Sequence, residues 1–241
     1  MKKAGGNVKG NQQPLWNNDE ELFAIVRREL YTAVVGDIMD KLGLQHQFLP
    51  PQIRPLESNM FVAGRAMTVL EADIDASEAC NESMELNVPF GLMLHALDDL
   101  KTGEVYLCTG ASPSYALWGE LMSTRAKMLG AAGAVVNGYS RDNKGILKLD
   151  FPTFSYGNYA QDQAPRGRVI DFRTTVKMGE VLIHPGDIVI GDMDGVCIVP
   201  ANASYDVFNL AIEKARGEKI VQKKIQEGMS AKQAFETYGI M

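Results

Sequence analysis

Glu104-Val105-Tyr106-Leu107-Cys108 and Gly133-Ala134-Val135-Val136-Asn137, with the segment between them, decide the fold. Each is a short apolar run bounded by turn residues, which reads as a buried strand. The stretch from Thr109 to Trp118 reads as a loop. A helix follows from Gly119 to Leu129, and Gly130 stops it. Strand, helix and strand in succession make a βαβ unit, and its right-handed crossover lays the two strands parallel. The helix start and the loop after Asn137 therefore share the carboxyl edge of the sheet, where open α/β sheets bind ligands.

Outward from this unit, residues 1–14 are Gly, Asn, Gln and Lys with little apolar content, and read as a disordered tail. Residues 15–241 read as one domain with a helical C-terminal extension. Asn18-Asp19-Glu20-Glu21 opens a helix carrying Leu22, Phe23, Ile25, Val26 and Leu30, and a second helix starts with Thr32 as N-cap and ends at Gly43. Pro50, Pro51 and Pro55 mark an extended connection, residues 65–70 a strand, and Phe90 to Leu97 a helix behind Pro89. The acidic stretch with Glu71, Asp73, Asp75, Glu78, Glu82 and Glu85 reads as a solvated face or loop, with a metal site as the alternative. Beyond Gly167, short apolar runs alternate with the turn signals Met178-Gly179, Pro185-Gly186 and Asp194-Gly195, which makes a β-rich block. The chain then turns helical from Ala201 to Gly228, and Ser230 caps a last helix to Tyr238.

The composition, 46% hydrophobic and 22% charged over 241 residues, suits a soluble globular protein with a full core. Its formal charge of -6 disfavours phosphate backbones, so no nucleic-acid partner is expected. No apolar run of membrane-spanning length occurs, so no membrane partner is expected, and Lys2-Lys3 lead into no apolar signal core. Cys80, Cys108 and Cys197 are odd in number and scattered, which argues against a disulfide framework and for a reducing, cytoplasmic setting.

The helix start at Gly119 presents unpaired amides and the positive end of a dipole, so the N–H groups of Leu121 and Met122 can hold a carboxylate. Arg141-Asp142 follows a buried strand at the same edge. Asp142 and Glu120 could then offer oxygen ligands to a hard cation such as Mg²⁺, with Arg141 facing a developing oxyanion. Each feature alone has a plainer reading: Glu120 complements the helix dipole, and Arg141-Asp142 is a surface ion pair. Their shared edge favours the site. His46 and His184 are isolated, and His95 reads as a core or interface residue. Asp192-Met193-Asp194-Gly195 suits a hairpin turn better than a calcium loop. No Gly-x-Gly-x-Gly follows a first strand, which disfavours a nucleotide or S-adenosylmethionine cofactor.

The run Gly119-Glu120-Leu121-Met122, then residues 126–142 ending in Arg141-Asp142, closely resembles the RraA-like family, which includes the 4-hydroxy-4-methyl-2-oxoglutarate aldolases. Segments at 32–37, 64–69, 185–189 and 194–196 match in the same order, and the likeness spans about residues 20 to 228. The resemblance implies an α/β fold, a layered β/β/α sandwich of the swivelling-domain type with N- and C-terminal helices. It implies self-association as trimers or hexamers, with active sites between subunits. It also implies that Asp142 binds Mg²⁺ or Mn²⁺ directly, that Glu120 contacts the metal through water, and that Arg141 steadies the enolate oxygen. The pyruvyl carboxylate falls to the amides of Leu121 and Met122 beside Gly119. A further acid through water comes from the C-terminal helix of a neighbouring subunit, with Glu218 the best match and Glu213 the second. Glu stands at position 120 where the aldolases often have Asp, as in RraA-type regulators.

These roles imply a divalent-metal-dependent lyase that cleaves a 4-hydroxy-2-oxo acid to pyruvate by retro-aldol reaction and also decarboxylates oxaloacetate. The metal would act as Lewis acid on the small 2-oxo acid, with Glu120 and Glu218 orienting the water that moves the proton. The alternative is a non-catalytic regulator of the RraA type that binds a ribonuclease or RNA helicase. A quinone-pathway methyltransferase lacks its cofactor loop here.

Overall fold

The computed structural model describes residues 15–74 and 90–240. The tail expected at residues 1–14, and Asp75, Glu78, Glu82 and Glu85 of the acidic stretch, lie outside the described residues. Two helices come first, α1 (Asp19–Glu29) and α2 (Thr32–Lys41), followed by strands β1 (Arg54–Pro55) and β2 (Val62–Asp73). Next come α3 (Met93–Asp98), β3 (Glu104–Thr109), β4 (Ala116–Trp118), α4 (Glu120–Met128), β5 (Gly133–Val136), β6 (Tyr139–Ser140), α5 (Asn143–Lys148) and β7 (Thr153–Ser155). The β-rich block supplies β8 (Gly167–Phe172), β9 (Val176–Met178), β10 (Val181–Ile183), β11 (Ile188–Asp192) and β12 (Gly195–Val199). The chain closes with α6 (Ser204–Gln226) and α7 (Ala231–Tyr238).

The result is a mixed α/β fold with helices at both ends. Its main sheet runs β1-β7-β5-β3-β2-β11-β12, with β8 attached to β2. β7, β5, β3 and β2 are mutually parallel, as the βαβ reading requires, and the outer strands are antiparallel to their neighbours. β2 is longer than the strand expected over residues 65–70. One of its edges serves β3, and the other is divided between β11 at residues 62–65 and β8 at residues 69–73.

Side-chain alternation along these strands sorts the core into three clusters. Val105, Leu107 and Val135 face inward against Val176, Met178, Val181 and Ile183 of the β9–β10 ribbon. Tyr106, Cys108, Ala134 and Val136 face outward beneath α3 and α4. Ile188, Ile190, Cys197 and Val199 carry α1, α2 and α6. Among the described residues no helix is long and apolar enough to cross a membrane.

Several local expectations are corrected. Thr32 is not the N-cap of α2 but its first residue, and Tyr31 takes the cap position without a side-chain bond. The capping is done from a distance, since Asp192 accepts from the Thr32 amide and the Thr32 hydroxyl, both at 2.7 Å. The stretch read as a loop before Gly119 contains β4, and α5 and β7 add a helix and a strand after Arg141. Glu71, read with the solvated acids, is only 3% exposed inside β2. His95, read as a core or interface residue, lies on the exposed face of α3, which removes the core alternative.

Candidate active site

The two halves of the site are joined by a small parallel pairing, in which β4 lies beside β6 with Ala116 opposite Tyr139 and Trp118 opposite Ser140. The Arg141 amide continues it by donating to the Trp118 carbonyl at 2.9 Å. Whatever follows β4 must therefore emerge beside whatever follows β6, and these are Gly119 and Arg141. Trp118 anchors the arrangement. Its indole is buried, stacks on Phe151 and donates to Ser123 Oγ at 2.7 Å, while Ser123 Oγ donates back to the Gly119 carbonyl.

Gly119 is the N-cap of α4 in an extended conformation open to any residue, and no side chain caps the helix. The amides of Glu120, Leu121 and Met122 thus begin the helix without intrahelical acceptors. What requires glycine is proximity: a Cβ at position 119 would stand 3.3 Å from Asp142 Oδ2 and 3.6 Å from Arg141 Cγ.

Asp142 occupies the left-handed region at φ 55°, as the N-cap of α5, yet its side chain makes no cap bond. Asp tolerates this conformation better than most residues, at a cost of about 1–2 kcal/mol. The carboxylate is half exposed and its Oδ2 lies 3.7 Å from Arg141 Nε. On its other side the Arg141 guanidinium meets Asp162 Oδ1 at 3.1 Å from Nη1. These groups form the polar end of a cleft of about 440 Å³ whose other wall is apolar, built from Phe90, Met93, Leu97, Leu117 and Met122. Leu121, 83% exposed, stands at its rim.

The remaining expected residues sit elsewhere in this chain. Glu120 does not line the cleft; its carboxyl lies over Gly145 of α5, where a Cβ would be 2.0 Å from Glu120 Cδ. Glu218 is on α6, bonded to Lys214 and to the Tyr31 hydroxyl, with Lys214 also held by Asp37 at 2.7 Å. Burial first, and then the bond to Glu218, push the Tyr31 phenol up to about 12. Glu218 borders a separate depression with Val221 and Ile225, and Glu213 is exposed on the same helix. Neither reaches the cleft of its own chain.

Among the described residues, no cluster of three or more His, Cys, Asp or Glu side chains could cage a metal. The donor set instead fits a hard divalent cation. Asp142 offers a carboxylate that is not spent on capping, and Mg²⁺ needs only one or two carboxylates when water and substrate oxygens complete its shell.

Asp162 and Gln163 were missed in the sequence. They reach the cleft because the Ala116 amide donates to the Gln161 carbonyl at 2.9 Å, a backbone contact that leaves no pattern in residue types.

Comparison with known proteins converges on one family. Residues 32–198 match the RraA-like model, described as Aldolase/RraA. A relative from Halalkalibacterium halodurans, named as a candidate 4-hydroxy-4-methyl-2-oxoglutarate aldolase, is 29% identical over 208 residues, covering 86% of this chain and 90% of that protein. The crystal structure of an uncharacterized Pseudomonas syringae pv. tomato protein superposes with a TM-score of 0.80 at 24% identity, over 97% of this chain and all of that one. Streptomyces coelicolor RraAS2, described as an unusual member of the RNase ES inhibitor RraA protein family, gives 0.73 at 22% identity, over 87% of this chain and 99% of that one. The latter two likenesses concern the fold alone.

Proposed function

Because the chain belongs to the RraA-like family, we propose that it is a divalent-metal-dependent lyase acting on a small 2-oxo acid, cleaving a 4-hydroxy-2-oxo acid to pyruvate and decarboxylating oxaloacetate. The reading is carried by one observation: Gly119 at an uncapped helix start, Arg141 and Asp142 lie side by side at the polar end of one cleft. The name of the Halalkalibacterium halodurans relative supports the same chemistry.

In this reading the amides of Leu121 and Met122 bind the substrate carboxylate and fix the 2-oxo group toward Arg141. The planar guanidinium, steadied by Asp162 through Nη1, spends its remaining donors on the oxygen that gains charge as the C–C bond breaks. Asp142 would hold Mg²⁺ or Mn²⁺, which would supply Lewis-acid stabilisation of the developing negative charge. Cleavage leaves an enolate whose carbon must take up a proton, and retro-aldol cleavage also requires removal of the 4-hydroxyl proton, a task we assign to water oriented by Glu120, from its place beside the cleft, and by Glu218 of a neighbouring copy. Decarboxylation forms the same enolate without removal of a hydroxyl proton. Trimeric or hexameric assembly and a layered β/β/α sandwich of the swivelling-domain type belong to the same proposal.

Coupled pyruvate detection tests it. Release from a branched 4-hydroxy-2-oxo acid or from oxaloacetate should depend on Mg²⁺ or Mn²⁺, vanish in Asp142→Asn, and slow in Arg141→Lys, whose point charge cannot reproduce the fork. No metal-dependent release from any such acid, together with capture of a ribonuclease or RNA helicase, would replace the lyase with a regulator.

A further inference from the structure

Behind the polar end of the cleft lies a buried acid to which the chemistry above gives no role. Glu71 points from β2 into the interior. Its Oε1 accepts from Gln163 Nε2, and its Oε2 lies 4.0 Å from Cys108 Sγ. The Tyr115 hydroxyl rests against it and donates to Asp73 Oδ1 at 2.9 Å. Gly167 on β8 makes room for this cluster, because a Cβ there would stand 1.8 Å from Tyr115 Oη and 2.9 Å from Glu71 Oε1.

Gln163 links this cluster to the site. It is 4% exposed, lines the cleft, and directly follows Asp162, the residue that engages Arg141. Asp162 has no regular secondary structure to hold it. Its own carbonyl accepts from Arg166 Nη1 at 3.2 Å, and its neighbours hold it on either side: the Gln161 carbonyl, bonded to the Ala116 amide, and Gln163. Gln163 is held through its own carbonyl, which accepts from the amides of Arg166 and Gly167, and through its side chain on Glu71.

We propose that Glu71 is a positioning residue for Arg141: through Gln163 it fixes Asp162, and the protonation state of its carboxyl sets where Asp162 holds the guanidinium. The consequence for turnover rests on the lyase reading, whereas the positioning itself does not.

Burial is the main influence on this carboxyl and pushes it up to about 8, with the bond from Gln163 opposing and the charge of Asp73 acting in the same direction as burial. Among the described residues, the ionisable groups facing it are Asp73 on its own strand, Tyr106 and Cys108 on β3, and Tyr115 before β4. The phenols and the thiol are themselves raised by burial and stay neutral. From β8 it meets Gly167 and Val169, which carry no charge, while Arg168 pairs with Ala72 on the alternate face. At neutral pH Glu71 is thus a neutral acid beside ionised Asp73. Above about pH 8 a second negative charge enters the cluster, with Gln163 as its link to the cleft.

The test combines two readouts on the full chain. With Mg²⁺ and oxaloacetate, kcat of the unmodified protein should fall above pH 8 with little change in KM. Glu71→Ala should lose roughly three- to tenfold in kcat through the lost hydrogen bond. Glu71→Gln should recover that loss, since its carbonyl still accepts from Gln163, and should lack the alkaline decline. Without ligand, the ¹⁵N resonances of the Arg141 guanidinium should titrate with a midpoint near pH 8, stay constant between pH 6 and 9 in Glu71→Gln, and shift in Gln163→Ala. Arg141 resonances indifferent to pH and to Gln163→Ala would overturn the proposal whether or not pyruvate is formed. Titrating Arg141 resonances in a protein that releases no pyruvate would uphold the positioning role and refute the lyase.

Discussion

Replacing Glu71 by Gln should change the pH dependence of folding by an amount that follows from its burial. The carboxyl titrates at about 8 in the folded chain against a usual value of 4.5. Between these values the folded protein keeps the proton and the unfolded chain has lost it. Rising pH therefore favours unfolding, by about 1.4 kcal/mol per unit across this window, with the loss complete above the folded value. From pH 6 to pH 8 the contribution amounts to roughly 2–3 kcal/mol. Glu71→Gln has nothing to titrate there, and its amide keeps the shape and the bond from Gln163. Urea unfolding of both proteins at pH 6, 7 and 8 should show the variant gaining stability relative to the parent by that amount, because all other groups titrate in both and cancel. A difference that stays constant within about 0.5 kcal/mol would show that Glu71 is already ionised at pH 6 in the folded protein, and the account of its burial would fail.

Asp192→Ala should cost about 1–2 kcal/mol, read as a lower denaturant midpoint, since it strips both bonds from the start of α2. Gly119→Ala should leave stability within about 0.5 kcal/mol, because alanine adopts that extended backbone freely. The added methyl 3.3 Å from Asp142 Oδ2 should nevertheless lower kcat/KM for metal-dependent pyruvate release by about tenfold or more. Gly145→Ala should stabilise α5 by about 0.5–1 kcal/mol while forcing the flexible Glu120 side chain from its place. Retro-aldol cleavage should then fall and oxaloacetate decarboxylation persist, in paired assays on one preparation.

Legibility followed length. The strands at 104–108 and 133–137 and the helix between them carry enough apolar positions and a clear glycine stop to be read directly, and with them came Gly119, Arg141 and Asp142 on one edge. β4 and β6, of three and two residues, are too short for any period to register. α5 opens on a left-handed Asp that makes no cap bond, so it shows none of the usual start signals. Thr32 illustrates the opposite error. A good capping residue was present, but a carboxylate 160 positions away had taken over its task.

By itself the sequence determined the longer strands and helices, the direction of the βαβ crossover, and the chemical types gathered at the sheet edge, because these depend on neighbours a few positions apart. Only the tertiary structure decided that Glu71 is buried, that Asp162 and Gln163 complete the polar end of the cleft, and that Glu120 and Glu218 stand outside it. Those outcomes depend on which distant backbone groups find partners and which side chains lose water. Desolvation is a property of the assembled core, and no local pattern of residues encodes it.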